Sequence, residues 1–325
     1  MPEGPHTSLR EHLPGMGVAF TIAAASWMLA AGHVALDPLI LAILTSIIIA
    51  NLAGPSPRLD AGITLARRSL IPAGIILYGA QMDLKPLVTI GAGQVLYLVF
   101  TVITVLLAVG WIARRMGVRK SIGLLLAAGS SICGASAIVV LAPVLGAKKE
   151  EISISLLAIT VIGLTGVIIY PLTQELAGLP ERTYALLCGS TLYQMGQVKA
   201  AAALVSPAVV DLAVPVKLVR VGMLLPVAIT YSLLQGSPQR KPYVPWFIVG
   251  ALAAALLMNA VPPLAEVRPF IAPYGTFLFT IAIAAIGLSV DLEAIIEVGP
   301  RPFLLVFQSW LILLALFVLG TLLIG

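Results

Sequence analysis

Long apolar stretches separated by short polar connectors dominate the chain. Connectors such as GPSPRLD and RRMGVRK are rich in Pro, Gly and charge, and a membrane helix needs about 20 consecutive apolar residues. The pattern therefore predicts an all-α polytopic membrane protein with about eleven hydrophobic segments. These segments lie at about 16–34, 37–53, 64–82, 87–113, 121–146, 152–176, 183–206, 211–235, 244–263, 270–290 and 302–324.

The first segment is interpreted as a span rather than a cleaved signal. The preceding MPEGPHTSLREHLPG lacks the basic, apolar and small-residue regions of a signal peptide. We therefore expect residues 1–15 to be a cytoplasmic N-terminal segment. Because no connector is long enough for a soluble domain, residues 16–325 are predicted to form a single transmembrane domain.

Segments five and seven are each interrupted by a short run of small and hydroxyl-bearing residues. The first run is G-S-S-I-C-G-A-S over 129–136, and the second contains G-S-T-L-Y-Q-M-G-Q over 189–197. Broken backbone at membrane depth is tolerated only where it is buried in protein or lines a wet cavity. We therefore predict two discontinuous or re-entrant helices, which are typical of transporter binding sites. The sequence does not decide whether these segments cross the bilayer or re-enter it.

Two internal repeats are predicted. The motif Y-G-A-Q-M-D-L in segment three resembles I-G-L-S-V-D-L in segment ten at a shift of 208 residues, so 37–113 repeats as 244–324. A weaker similarity, at a shift of 60, pairs the broken-helix units 121–176 and 183–235. If segments five and seven re-enter, both repeats are inverted. The pairs that align at the longer shift are Gly79 with Gly287, Asp83 with Asp291, Gly91 with Gly299, Asn51 with Asn259 and Pro55 with Pro263.

Composition supports the membrane class and argues against several others. Hydrophobic residues make up 60% of the 325 and charged residues only 10%, against about 25% charged in soluble domains. The net charge of +5 is too small to indicate nucleic-acid binding. The two cysteines suggest neither a disulfide framework nor a metal site, and all three histidines lie within the first 33 residues. We expect no metal, no cofactor and no enzymatic activity.

The candidate chemistry lies where the two interruptions are expected to converge. The start of a half-helix presents free N–H groups and a partial positive charge, which favour an anion. A basic residue at membrane depth costs roughly 2.5 to 3.5 kcal/mol and so marks a candidate functional site. Tight helix packing by small residues and snorkelling of the lysines to an interface are the alternatives. The predicted substrate-binding residues are Ser130, Ser131, Cys133, Gly134, Ser136, Ser190, Thr191, Gln194, Gln197, Lys199, Lys217 and Arg220.

Basic residues in the connectors predict the orientation. Cytoplasmic connectors carry most of the Lys and Arg of a membrane protein, and a cytoplasmic N-terminus places the basic clusters 114–120 and 240–241 inside. If segments five and seven re-enter, Lys148 and Lys149 also move inside and only Arg182 moves out. The predicted location is the bacterial inner membrane, with several passes.

Three stretches resemble a known family. GSSICGASAIVVLAPVLGAKKEEISISLLAITVIG, LLCGSTLYQMGQVKAAA and VPVKLVRVGMLLP are similar to signature stretches of the YeiH-type sulfate exporter family of bacteria, which is related to the cation:proton antiporter and anion transporter superfamily. The similarity runs from about Asn51 to the C-terminus. It implies an inner-membrane protein of ten or eleven helices that exports sulfate or a related small anion. One departure is that Tyr193, Gln194 and Gln197 stand where a His-Glu pair followed by Gln is expected, which argues against proton coupling through that pair.

We therefore predict an alternating-access carrier for a small anion, such as sulfate or a sulfonate. Lys217 and Arg220 would supply the compensating charge, and the expected partners are the anion and the lipid bilayer. The pattern allows a homodimer without requiring one. An anion channel or uncoupled facilitator is the main alternative. An intramembrane enzyme is less favoured, because Cys133 has no histidine nearby in sequence to activate it.

Overall fold

The computed structural model describes residues 9–31, 38–54, 56–81, 91–234, 246–289, 293 and 298–324. Within these residues the chain is helical and contains no β-strand, which confirms the predicted all-α class. The helices are α1 (Leu9–Ala31), α2 (Pro38–Ala53), α3 (Pro57–Gln81), α4 (Ala92–Arg115), α5 (Lys120–Ser131), α6 (Ala135–Leu145), α7 (Lys149–Ala177), α8 (Glu181–Thr191), α9 (Met195–Ala203), α10 (Pro207–Gly222), α11 (Leu224–Leu234), α12 (Trp246–Ala260), α13 (Pro262–Ala265), α14 (Arg268–Gly287) and α15 (Arg301–Ile324).

Six helical stretches in the described part are long and apolar enough to cross a membrane, and three shorter ones are also apolar. They correspond to predicted segments one, four, six, eight, ten and eleven. The eighth combines α10 and α11. The polytopic class is thus confirmed. The six stretches are Glu11–Ala31, Ala92–Arg115, Lys149–Ala177, Pro207–Leu234, Arg268–Gly287 and Arg301–Leu323.

The chain divides into two compact units. The first comprises Met1–Gln81 and Gly250–Ile295, and the second comprises Met82–Val249 and Ile296–Gly325. In the first unit, α1, α2, α3 and α14 pack around a core in which small side chains predominate. Small residues allow helix axes to approach closely, as is usual in membrane bundles. The buried core residues are Ala19, Ile22, Ala23, Ala42, Ile63, Ala66, Ile281, Ala284 and Ala285.

Two close approaches within this first unit involve glycines that the predicted repeat aligns. A Cβ on Gly79 of α3 would overlap the backbone of Ala251 in α12. A Cβ on Gly287 of α14 would overlap Ser46 in α2 and lie 3.1 Å from the Ile43 carbonyl oxygen. Each glycine is therefore required where two helices touch.

In the second unit, α5 and α6 form a helix hairpin. A Cβ on Gly129 would lie 3.1 Å from the Ile138 Cδ1 atom. In a straight helix, residues nine apart are separated by about 13 Å along the axis, which is beyond the reach of an isoleucine side chain. The chain therefore turns back between Ser131, where α5 ends, and Ala135, where α6 begins.

The helices α8 and α9 form a second hairpin. The Tyr184 hydroxyl donates a hydrogen bond to the Ala201 carbonyl oxygen at 3.0 Å. Seventeen residues of continuous helix would separate these positions by about 25 Å. The chain therefore also turns back between Thr191 and Met195, and the tips of both hairpins contain the interruptions identified in the sequence.

Candidate functional site

The first interruption requires a glycine. After α5 the chain passes through Ile132 and Cys133 to Gly134, whose φ of 67° and ψ of −121° suit only glycine. A Cβ on Gly134 would lie 2.7 Å from Gln194 Cγ and 3.2 Å from the Tyr193 carbonyl oxygen. Gly134 therefore allows the tip of the first hairpin to contact the tip of the second.

Two buried cations of α10 hold these tips together. Lys217 Nζ donates hydrogen bonds to the carbonyl oxygens of Ile132, at 2.9 Å, and Leu192, at 2.8 Å. One carbonyl belongs to each interruption, and the Lys217 side chain has no exposed surface. The lysine therefore connects the two tips directly through their backbones.

The Arg220 guanidinium binds the same two helix ends. It donates to the carbonyl oxygens of Ser130, at 2.7 Å, and Ser131, at 3.0 Å, at the end of α5. It also donates to the carbonyl oxygens of Ser190 and Leu192 at the end of α8. The last carbonyls of a helix lack intrahelical donors, so this fully buried arginine satisfies groups that would otherwise be unpaired.

The partial charges of the helix ends only partly balance the charges of Lys217 and Arg220. The C-terminal end of each helix carries about −0.5 of an elementary charge, so the ends of α5 and α8 offset roughly half of the charge of Lys217 and Arg220. The starts of α6 and α9 add about +0.5 each. The contacts described for the two cations are all with carbonyl oxygens. The helix ends therefore offset only part of the charge that the two basic side chains carry when they are protonated.

The two glutamines fix the start of α9. The Gln197 side-chain oxygen accepts from the Gln194 N–H at 3.0 Å, and the Gln194 side chain caps the Gln197 N–H in return. The Gln194 amide also donates to the Thr160 hydroxyl of α7 at 3.0 Å. These amides therefore order the second tip and attach it to α7.

The hydroxyls predicted to bind substrate have bonds within the protein. Ser131 donates to the Ala128 carbonyl, Ser190 to Leu186 and Thr191 to Leu187, and each bond is within one turn of helix. Because a hydroxyl carries a single hydrogen, these three groups are left as acceptors. The Ser130 hydroxyl lies 3.0 Å from that of Ser309 in α15.

Sequence reasoning missed the contribution of α15 to this site. The buried Tyr193 hydroxyl lies 2.8 Å from both the Val306 carbonyl oxygen and the Ser309 hydroxyl. The Trp310 indole donates to the Tyr170 hydroxyl, which lies 2.6 Å from the Thr191 hydroxyl. The polar triplet Q-S-W over 308–310, within an otherwise apolar segment, is the signal that could have indicated these partners.

The remaining predicted residues differ in accessibility. Cys133 is buried and lies against the Ser136 hydroxyl and the Ala137 N–H. Ser136 is half-buried at the start of α6, as are Met195 and Gly196 at the start of α9. Lys199 is exposed on α9 and does not join the buried cluster around Lys217. Asp83 and Asp291, which the repeat aligns, lie outside the described residues.

We expect Gly163→Ala in α7 to destabilise the protein by about 1–3 kcal/mol. A Cβ at this position would overlap the Gln197 side-chain amide, which is fully buried, so the cap of α9 would have to move. Gly110→Ala in α4 is the control, because a Cβ there meets no atom of the described residues within 4 Å. Removing that glycine should stabilise its helix by up to about 1 kcal/mol. Thermal unfolding of the two purified variants tests this, and equal midpoints would contradict it.

The fold and the hairpins define a polytopic α-helical membrane protein with a charged, buried centre. The chain belongs to the family described as conserved hypothetical protein 698, whose model matches residues 14–306. This agrees with the YeiH-type resemblance of the three signature stretches.

Curated relatives are similar over most of their length. A UPF0324 membrane protein of Brucella melitensis is 34% identical over 315 residues, which cover 93% of this chain and 88% of the relative. A UPF0324 membrane protein of Archaeoglobus fulgidus is 31% identical over 301 residues, covering 93% and 90%. One from Bacillus cereus is 34% identical over 278 residues, covering 82% and 78%. No solved structure shows significant similarity to the chain.

Proposed function

We propose that the protein is a secondary transporter of a small oxyanion, such as sulfate or a sulfonate. The observation that carries the proposal is the meeting of two hairpin tips around Lys217 and Arg220. Broken helices that meet within a membrane bundle are typical of secondary transporter sites. The residual positive charge favours an anion over a cation or a neutral solute.

The anion is proposed to bind at the starts of α6 and α9 rather than directly on the two cations. Lys217 and Arg220 donate to backbone carbonyls and have no exposed surface. The half-buried Ser136, Met195 and Gly196 are accessible by comparison, and the first N–H groups of a helix have no intrahelical acceptor. The cations therefore contribute long-range attraction, while N–H groups and the Ser136 hydroxyl supply the contacts.

We propose that the predicted repeats are inverted, an arrangement that is typical of secondary transporters. The shift of 208 residues aligns Gly79 with Gly287 and Ile43 with Ala251. A two-fold axis relating the two repeats would therefore pair the contact of Gly79 with Ala251 with a contact of Gly287 with Ile43, and both contacts occur. The aligned Asn51 and Asn259 amides each donate to the carbonyl four residues earlier at 2.8 Å. Both glycines of another aligned pair, at 91 and 299, have positive φ just before a helix.

The proposed location is the bacterial inner membrane, with a cytoplasmic N-terminus. Because α5 and α6 turn back, Lys148 and Lys149 return to the side on which Lys120 begins. Arg182 then lies on the opposite side, and the positive-inside bias becomes marginally stronger than with eleven crossings. We further propose that the second unit, which carries both hairpins, moves during alternating access.

Proteoliposomes containing the full chain test the proposal. We expect saturable uptake of radiolabelled sulfate or a sulfonate that is accelerated by the same anion inside the vesicles. Ser136→Ala should raise the apparent KM about tenfold or more, because a hydrogen bond to a charged group is worth about 1.5–3 kcal/mol. Thr165→Ala is the control, since the exposed Thr165 hydroxyl donates within α7, to the Val161 carbonyl oxygen.

Three results would count against the proposal. Uptake without acceleration by internal anion would indicate a channel or uncoupled facilitator. Chemical conversion of the solute would indicate an enzyme. The anion proposal would fail altogether if the protein transported none of the following solutes: sulfate, sulfite, thiosulfate, taurine, small carboxylates and halides.

A further inference from the structure

A cavity lies within the second unit, between α4, α8 and α15. Its volume is about 510 Å³, within the range of small-molecule sites. The cavity extends from the helix ends at Gln94, Arg182 and Thr321 inward to Thr101, Ser190 and Leu313.

One end of the cavity is cationic and polar. The Arg182 guanidinium is exposed at the start of α8, with Thr183 beside it. Gln94 lies near the start of α4, and Thr321 near the end of α15. These three helix ends share one side of the bundle, so this mouth lies at a membrane surface and can receive a negatively charged group.

The interior of the cavity offers no hydroxyl hydrogen to a negatively charged group. The hydroxyls of Thr101 and Ser190 donate to carbonyls of their own helices, Tyr97 and Leu186 respectively. The Tyr97 hydroxyl donates to the Leu316 carbonyl. With one hydrogen each, these hydroxyls have none left for an oxyanion, and burying an anion without donors is costly.

The remaining walls are apolar. Leu98, Leu186, Leu313 and Phe317 also line the cavity. Arg182 and Ser190 are eight residues apart on α8, so the cavity is about 12 Å deep. The cavity is thus cationic at its mouth and apolar along the shaft, as we call its interior. It therefore suits an amphiphile with one negatively charged end.

We propose that this cavity binds an anionic phospholipid, with the phosphate at Arg182 and an acyl chain between α4, α8 and α15. The mouth opens at the end of the bundle where lipid headgroups lie, and the bilayer is a ready source of such a ligand. A guanidinium can donate two parallel hydrogen bonds to a phosphate group, and its charge favours a headgroup that is negatively charged overall. The basic residue at the mouth and the apolar interior therefore both favour an anionic phospholipid over a small soluble anion.

Native mass spectrometry of the full chain in mild detergent, titrated with phosphatidylglycerol or phosphatidylcholine, tests the proposal. We expect preferential retention of phosphatidylglycerol. Arg182→Gln should weaken that binding about five- to tenfold and leave phosphatidylcholine unchanged. Arg182→Lys should retain most of the preference. Arg119→Gln, at the exposed start of α5, is the matched control and should have no effect.

Filling the cavity mouth with a bulky side chain tests lipid binding independently, because Arg182 is kept. Thr183→Trp adds bulk at the mouth and should reduce binding of both lipids. Unchanged phosphatidylglycerol binding in Arg182→Gln, or equal losses in Arg119→Gln, would overturn the proposal. So would displacement of the lipid by millimolar sulfate in an Arg182-dependent manner, because the site would then belong to a small anion.

Discussion

Arg220→Gln is expected to lower the free energy of unfolding by about 3 kcal/mol or more. The substitution removes the donors for the last carbonyls of α5 and α8, at Ser130, Ser131 and Ser190. These groups are buried, and each one left without a partner costs about 1–3 kcal/mol. The thermal unfolding midpoint and the monodisperse fraction after purification measure the loss.

Arg114→Gln is the control for this prediction. Arg114 is exposed near the end of α4, and surface substitutions of this kind usually change stability by less than about 0.5 kcal/mol. Arg220→Lys should recover part of the loss, because an ammonium keeps the charge but lacks the planar fork. A midpoint for Arg220→Gln equal to that of Arg114→Gln would show that the guanidinium does not hold the helix ends.

Gly134→Ala should cost about 2–4 kcal/mol and abolish uptake by the remaining folded protein. Two effects combine: the backbone conformation is one that only glycine adopts readily, and the added methyl would push Gln194 away. Because Gln194 caps α9, the start of that helix would shift. Unfolding midpoints and proteoliposome uptake provide the two measurements.

Gly146→Ala is the matched control, at the other end of α6. This glycine also has a positive φ, of 61°, but within the described part of the chain a Cβ there would meet no atom closer than 4 Å. The substitution should therefore cost only the backbone term of about 1 kcal/mol and preserve uptake. Similar losses in the two variants would mean that contact between the hairpin tips is unimportant.

The sequence predicted the helical class and the positions of the interruptions because both depend on local composition. Runs of apolar residues indicate spans, and the G-S-S-I-C-G-A-S run coincides with the break between Ser131 and Ala135. Periodicity could not show that the chain turns back there. That follows from long-range packing, such as the bond from Tyr184 to Ala201.

The roles of individual side chains were less accessible. Lys217 and Arg220 stood out because cations at membrane depth are rare, but their carbonyl partners lie 25 to 90 residues away in the sequence. Ser309 pairs with Ser130 across 179 residues. Neither spacing nor composition encodes such pairings, so only the fold could identify them.

The shared Leu192 carbonyl has a mechanical consequence. Lys217 and Arg220 both donate to it, and each also reaches the end of α5. Both hairpins are therefore hydrogen-bonded to the same helix, α10, and neither can move alone without breaking buried hydrogen bonds. A carrier built this way would move its substrate by displacing α10 and both hairpins as one rigid body. The site proposed at the starts of α6 and α9 would then keep its shape on both sides of the membrane.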